Sequence, residues 1–193
     1  MVKYLKGAMM NDILIALAKA SILTALHQPA DLNLSEVLAR YPKLEEKGAS
    51  FVTLTKGNKE RLRGCIGSLE AWRPLYKDII SNARAAALED SRFTPLRKEE
   101  LPQIKVEVSI LTRPKEVDYT DREDLKKKIR PGTDGVILRH WFHRATYLPQ
   151  VWEQLPDFDL FFLSLCEKAG LEKNCLDRHP TIQVYQVRKY KEK

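Results

Sequence analysis

Residues 104–110 alternate without a break: Ile104, Val106, Val108 and Ile110 are apolar, and Lys105, Glu107 and Ser109 between them are polar. In an extended chain successive side chains point to opposite faces, so this stretch predicts a strand with four apolar side chains on one face and polar ones on the other. Such a strand needs hydrogen-bonding neighbours and an apolar cover for its buried face. Two further β-type runs, residues 51–55 and 61–66, flank Lys56-Gly57-Asn58-Lys59-Glu60, whose Gly-Asn pair is a turn signal, and they predict a hairpin. Cover comes from helices. Ile13, Ala16, Leu17 and Ala20 recur at helical spacing, with Asn11 or Asp12 to cap the start and His27-Gln28-Pro29 to stop it. Pro74 opens a second helix with Leu75, Ile79, Ala83 and Ala86 or Ala87 as its stripe, ended by Asp90-Ser91 and Pro95.

Residues 30–48 read as a connector with one short helical turn. Beyond residue 110, Thr120-Asp121-Arg122-Glu123 reads as a capping box with Thr120 as N-cap, opening a short basic helix to about residue 129. Residues 136–138 and 145–148 read as two strands around an irregular turn. A last helix starts at Asp157 or Phe158 and ends at Ala169, with Leu160, Leu163 and Cys166 on its stripe and Gly170 as left-handed cap. A final strand covers residues 181–187. Strands beside strands, with helices between groups, predict a compact α+β domain of one or two lobes, with largely antiparallel sheet and flanking helices.

The chain has 193 residues, so at about 150 residues per domain one domain is the default. A hydrophobic share of 44% with 31% charged residues excludes a disordered or collagen-like chain. Lysine and arginine exceed aspartate and glutamate by 33 − 26, a net charge of +7 that favours anionic partners. Its densest run, Lys126, Lys127, Lys128 and Arg130, lacks interleaved aromatics, and no nucleic-acid module or phosphate loop is present, so nucleic acid is not the expected partner. Three cysteines, an odd number without the close spacing of a disulfide framework, favour a reducing compartment. No apolar run approaches the roughly 20 residues of a membrane span, so no membrane partner is expected and the chain reads as cytoplasmic.

Chemistry concentrates in Arg61-Leu62-Arg63-Gly64-Cys65-Ile66-Gly67. On a regular strand Arg61, Arg63 and Cys65 share one face, and guanidinium groups beside a thiol favour the reactive thiolate. Gly64 and Gly67 would let a ligand approach closely, and Arg63 could fork a carboxylate or phosphate. Three roles fit Cys65: a packed core residue, part of a ligand site, or a nucleophile or redox centre. Glu107 and Ser109, on the polar face of the alternating strand, meet this thiol if their strand neighbours it. Asp90 could brace the turn after the second helix, and Arg92 could reach an anion. Gln150, Trp152 and Glu153 form an irregular segment that could wall a pocket, with Glu107 or Glu153 as proton carrier. His140 with His143, and Cys175 with His179, have ligand-like spacing, but the pairs lie far apart in sequence and neither a metal nor a cofactor is expected. Trp141 and Phe142 read either as a protein contact or as a tucked-in tip.

Six collinear blocks carry a resemblance: Leu62-Arg63-Gly64-Cys65-Ile66-Gly67, Asn82-Ala83-Arg84-Ala85-Ala86-Ala87, Asp90-Ser91-Arg92-Phe93, Val106-Glu107-Val108-Ser109, Gly132-Thr133-Asp134-Gly135, and Tyr147-Leu148-Pro149-Gln150-Val151-Trp152-Glu153-Gln154. Together they resemble the AMMECR domain family, whose prokaryotic members are called AmmeMemoRadiSam system protein A. The resemblance is strongest over residues 48–190 and implies a single domain over residues 1–193, with the segment 1–27 adding a helix packed on it. It also implies a pocket around Arg63–Gly67, no established activity, and the company of a Memo-like and a radical-SAM protein. His140-Trp141-Phe142-His143 departs from it, where relatives usually carry a glycine-rich turn. The function expected is binding of a small anionic or polar ligand around Cys65, with or without thiol catalysis. The alternative is an adaptor for a partner protein or, less favoured, nucleic acid.

Overall fold

The computed structural model describes residues 9–192 and falls into two compact units, residues 9–111 with 188–192, and residues 112–187. In the first unit the hairpin forms as the sequence predicts, from β1 (Ala49–Lys56) and β2 (Arg61–Gly67), with Gly57 in the left-handed region at φ 72°. The alternating stretch is β3 (Ile104–Leu111). It pairs antiparallel with β1, giving an order β2-β1-β3-β8 with β8 (Val187–Lys191) at the far edge. Helices α1 (Met10–Ala25) and α3 (Leu75–Leu88) cover the face that carries Val52, Leu54, Val106 and Val108, all buried with Ile13, Leu14, Leu17, Ile79 and Ala83. Helix α1 is capped differently from expectation. Met9 is the N-cap, and Asp12 reaches back from the third helical position to accept the Met9 N–H at 3.2 Å. The connector is more helical than read, with α2 (Leu34–Arg40) capped by Asn33 and a 3-10 turn over Pro42–Glu45.

A buried polar knot ties α3 to the sheet. Asp78, fully buried, accepts from the Ser50 N–H (2.8 Å), Ser50 Oγ (2.7 Å), Asn82 Nδ2 (2.9 Å), Ser68 Oγ (2.7 Å) and Arg73 Nε (2.8 Å). Asn82 also donates to the Ser50 carbonyl at 2.9 Å. Both residues lie on the same helical stripe as Leu75, Ile79 and Ala83, where a polar side chain is tolerated only if its hydrogen bonds are met.

The second unit holds β4 (Lys115–Glu116), α4 (Arg122–Lys128), β5 (Gly135–His140), β6 (His143–Tyr147), α5 (Phe158–Lys168) and β7 (Thr181–Tyr185), with antiparallel order β4-β7-β5-β6. Asp121, not Thr120, is the N-cap of α4, its carboxylate accepting the Asp124 N–H at 2.8 Å. On α5 the buried stripe is Phe158, Phe161, Phe162, Leu165 and Cys166, whereas Leu160 is exposed. Three phenylalanines at helical spacing bury more apolar area than the leucine stripe read from the sequence. The expected final strand is two: β7 belongs to this sheet and β8 to the first, with Gln186 between them. Cys166 and Cys175 form a disulfide, which the odd cysteine count did not reveal, leaving Cys65 as the free thiol. That bond withdraws the support that three free thiols lent to a reducing compartment.

Candidate functional site

Between Leu54 and Thr55 the β1–β2 register slips: Leu54 faces Gly64 and Thr55 faces Leu62, so Arg63 has no partner and forms a β-bulge. The bulge overturns the simple alternation. Leu62 moves out and is 45% exposed, while Cys65 keeps the face opposite the helices. Gly64 faces α3, where a Cβ would stand 2.1 Å from the Ala86 carbonyl oxygen. At Gly67 the room is filled by the Phe51 ring, 2.2 Å from where a Cβ would stand. Both glycines therefore admit parts of this chain rather than a ligand.

The bulged Arg63 swings to Glu100 on the 3-10 segment Lys98–Gln103 and grips it in a fork, Nε to Oε1 at 3.0 Å and a terminal nitrogen to Oε2 at 2.9 Å. Lys56 joins Oε1 at 2.9 Å. Arg63 thus forks a carboxylate, as its chemistry suggested, but the carboxylate is the protein's own. These cations, Arg63 first and Lys56 after it, pull Glu100 down from 4.5 to about 2 against the upward push of burial. A carboxyl whose folded pKa is depressed stabilises the fold above its unfolded value and loses that contribution as pH falls toward the folded one. Urea titrations should therefore lose about 1–2 kcal/mol between pH 4.5 and 2 through this group after solvent screening, and Glu100→Gln should flatten that part of the profile.

Cys65 is held at three points. The Asp90 carboxylate accepts its N–H at 2.8 Å, an Arg92 terminal nitrogen donates to its carbonyl at 3.2 Å, and the Thr53 hydroxyl donates to Sγ at 3.3 Å. Asp90 and Arg92 are themselves paired through Nε (2.9 Å) and a terminal nitrogen (2.7 Å). The guanidinium first, and then the Cys65 N–H, hold the buried Asp90 well below the usual carboxylate range against its desolvation. Arg92 is raised, chiefly by Asp90 and to a lesser degree by Cys65. Phe93 lies 5.9 Å from the Arg63 guanidinium carbon and 5.5 Å from that of Arg92, an aromatic spacer between two cations.

The register continues the thiol's row: Cys65 faces Thr53, and Thr53 faces Glu107 on β3. Glu107 is thus two strands from the thiol, about 9–10 Å at the backbone, and does not neighbour it directly. It accepts from Ser109 Oγ at 3.3 Å and pairs with Lys191 at 3.2 Å. Gln150, Trp152 and Glu153 belong to the second unit. Trp152 is buried there, stacked on Phe161 at 3.6 Å and donating Nε1–H to the Asp134 carbonyl at 2.8 Å, while Gln150 and Glu153 are exposed. Asp134 in turn is bound by Arg130 at 2.8 Å. Cys175 is in the disulfide and His143 Nδ1 lies 2.8 Å from the Ala169 carbonyl, and among the described residues no three His, Cys, Asp or Glu side chains converge as metal ligands.

Thr53, Asp78 and Glu100 escaped the sequence reading. Asp78 left a signal, a carboxylate on an apolar helical stripe. Thr53 and Glu100 left none, because their partners are fixed only by strand register and by the bulge.

An α+β chain of two units, one a helix-covered sheet that carries Cys65 on the face opposite its helices and the other a smaller sheet with a helix, is the class of protein the fold defines. The chain belongs to the AMMECR1 family, whose pattern matches residues 15–190. A protein of Saccharolobus islandicus is 46% identical over 138 residues, 69% of this chain and 61% of that protein, so the match spans about three-fifths of this relative's length. A protein of Sulfolobus acidocaldarius is 43% identical over 167 residues, 84% of this chain and 72% of its own. The crystal structure of an uncharacterized protein from Pyrococcus horikoshii is similar with a TM-score of 0.71 at 32% identity, covering 95% of this chain and 91% of that one. Among the described residues no helix is long and apolar enough to cross a membrane.

Proposed function

We propose that the first unit binds a small anionic or polar ligand on the face of its sheet that carries Cys65, with the thiol meeting the ligand. The observation that carries this reading is the three-point hold on Cys65: two partners fix its backbone and a hydroxyl is aimed at its sulfur. Charge supports the anionic preference. The whole surplus of +7 falls on residues 1–111 and 188–193, with 21 basic and 14 acidic residues, while residues 112–187 carry 12 of each. Arg92, paired with Asp90, and Lys191, paired with Glu107, are half-exposed and exposed cations on or beside the thiol's row, whereas Arg63 is largely buried against Glu100. Glu107 supplies a polar group further along the face, whereas Ser109 is buried and bonds to Glu107. Gln150, Trp152 and Glu153 are left out of this ligand set, and Glu107 is too far from the sulfur to take its proton directly. A cytoplasmic setting belongs to the same proposal.

The test is native-state alkylation followed by mass spectrometry. Cys65 should label in the folded protein, and Thr53→Val should slow labelling about 3–10-fold at fixed pH without a matching fall in stability, because only the bond to sulfur is removed. Cys65→Ser should leave the denaturation midpoint nearly unchanged. Labelling of Cys65 only on unfolding would remove the thiol from any role and leave the adaptor reading.

A further inference from the structure

We propose that the tip of the β5–β6 hairpin is a peripheral anchor for an anionic lipid surface. The strands run to the end of the hairpin, where His140 faces His143 and Arg139 faces Arg144, leaving Trp141 and Phe142 as a two-residue turn. Both rings stand in solvent, Trp141 83% and Phe142 94% exposed. Single exposed apolar side chains are common, but two adjacent large aromatics at an apex are not an ordinary soluble surface.

The backbone adds a separate observation. Trp141 sits at φ 54°, in the left-handed region that two-residue hairpin turns favour and that glycine or asparagine adopts at least cost. An indole at that position is a locally strained choice, and such strain points to function where the rest of the element fixes it. Here five consecutive residue pairs, from Val136 with Tyr147 to His140 with His143, hold the hairpin.

Charge selects the occupant. The two aromatics are flanked on both strands by Arg139 and Arg144 and by two histidines, and Lys168 bonds the Thr146 carbonyl on the same hairpin at 3.0 Å. Amphipathic aromatics beside arginines suit the head-group layer of an anionic bilayer, where the rings sit at the interface and the cations meet phosphate. A protein partner fits less well, because two side chains expose far less than the roughly 800 Å² per partner of a stable interface. A nucleic-acid strand also fits less well: the rings are tilted 55° to each other with centroids 6.3 Å apart and offer successive bases no parallel stacking platform. Anchoring of this kind lies on a membrane and needs no spanning helix.

The experiment is co-sedimentation of the full chain with phosphatidylcholine vesicles, with and without about 30% phosphatidylserine, at low and raised salt. Binding should be about 10-fold stronger on the anionic vesicles and weaken with salt. The double variant Trp141→Ala/Phe142→Ala should lower it about 10-fold, and Arg139→Gln should weaken binding to the anionic vesicles only. Trp141→Gly should lose binding with its melting temperature unchanged or raised, since glycine adopts that φ freely. In a Trp72→Phe background, vesicles should shift the emission of Trp141 to the blue, Trp152 being buried already. Absence of vesicle binding, binding unaffected by the tip variants, or a tip-dependent affinity for a single-stranded oligonucleotide in place of vesicles would each overturn the proposal.

Discussion

Gly64→Ala should cost more than about 3 kcal/mol and leave the first unit largely unfolded under mild urea. The added Cβ would stand 2.1 Å from the Ala86 carbonyl oxygen and 3.1 Å from its carbon, both backbone atoms of a helix packed on the strand. Overpacking is cheapest where a side chain can turn away, and a backbone carbonyl inside a helix cannot. Relief would require β2 and α3 to part, which opens the core of Val52, Leu54, Ile79 and Ala83. Gly67→Ala is the control. The nearest atoms to its Cβ would be those of the Phe51 ring, a side chain and not backbone, so the loss should be smaller and Phe51→Leu should recover part of it. Denaturation midpoints of the three variants check the ordering, and equal losses at the two glycines would contradict it.

Asp78→Ala should be comparably damaging, about 3–5 kcal/mol, for the opposite reason: it removes an acceptor instead of adding an atom. Five donors converge on that carboxylate from Ser50, Ser68, Arg73 and Asn82. Truncation leaves a buried N–H, two hydroxyls, an amide and a guanidinium without their acceptor, and the partly buried Arg73 loses its counter-charge. Asp78→Asn keeps the shape but turns one acceptor atom into a donor facing donors, so it should lie between wild type and alanine. Urea denaturation resolves the series. Because the knot joins β1, the end of β2 and α3, its loss should also speed amide exchange along β1 more than along β3.

These two sites show what a linear chain discloses. Periodicity places β3 and α3 because each follows one repeat for its full length, and the Gly-Asn turn signal places the β1–β2 hairpin. Gly64 and Cys65 stood out as residue types, yet the bulge at Arg63 was hidden, because a period of two assumes an unbroken ladder and one inserted residue reverses it. For that reason the alternation puts Arg63 beside the thiol as a fork for a carboxylate or phosphate, whereas its fork holds Glu100. The change of sheet at Gln186 was hidden too, since residues on both sides have the composition of one continuous strand. Trp152 looked like a pocket wall because its neighbours are polar, and only the parallel stack on Phe161 makes it core. Glu107 and Ser109 share the face of β3 opposite the helices, but Ser109 is buried there and the intervening β1 sets the distance of Glu107 from Cys65. Partnerships fixed by register and tertiary packing are written in no local pattern.

The Asp90–Arg92 pair acts on more than the thiol. β2 is the outer strand of its sheet, and an outer strand offers a row of main-chain donors and acceptors on which any other extended chain can nucleate. At Cys65, the fifth of its seven residues, a carboxylate takes the N–H and a guanidinium the carbonyl, so the two side chains stand where the backbone of an intruding strand would lie. The same turn that steadies the cysteine therefore blunts the edge against sheet-to-sheet association, and a substitution at Asp90 would expose the protein to self-assembly as well as loosen its site.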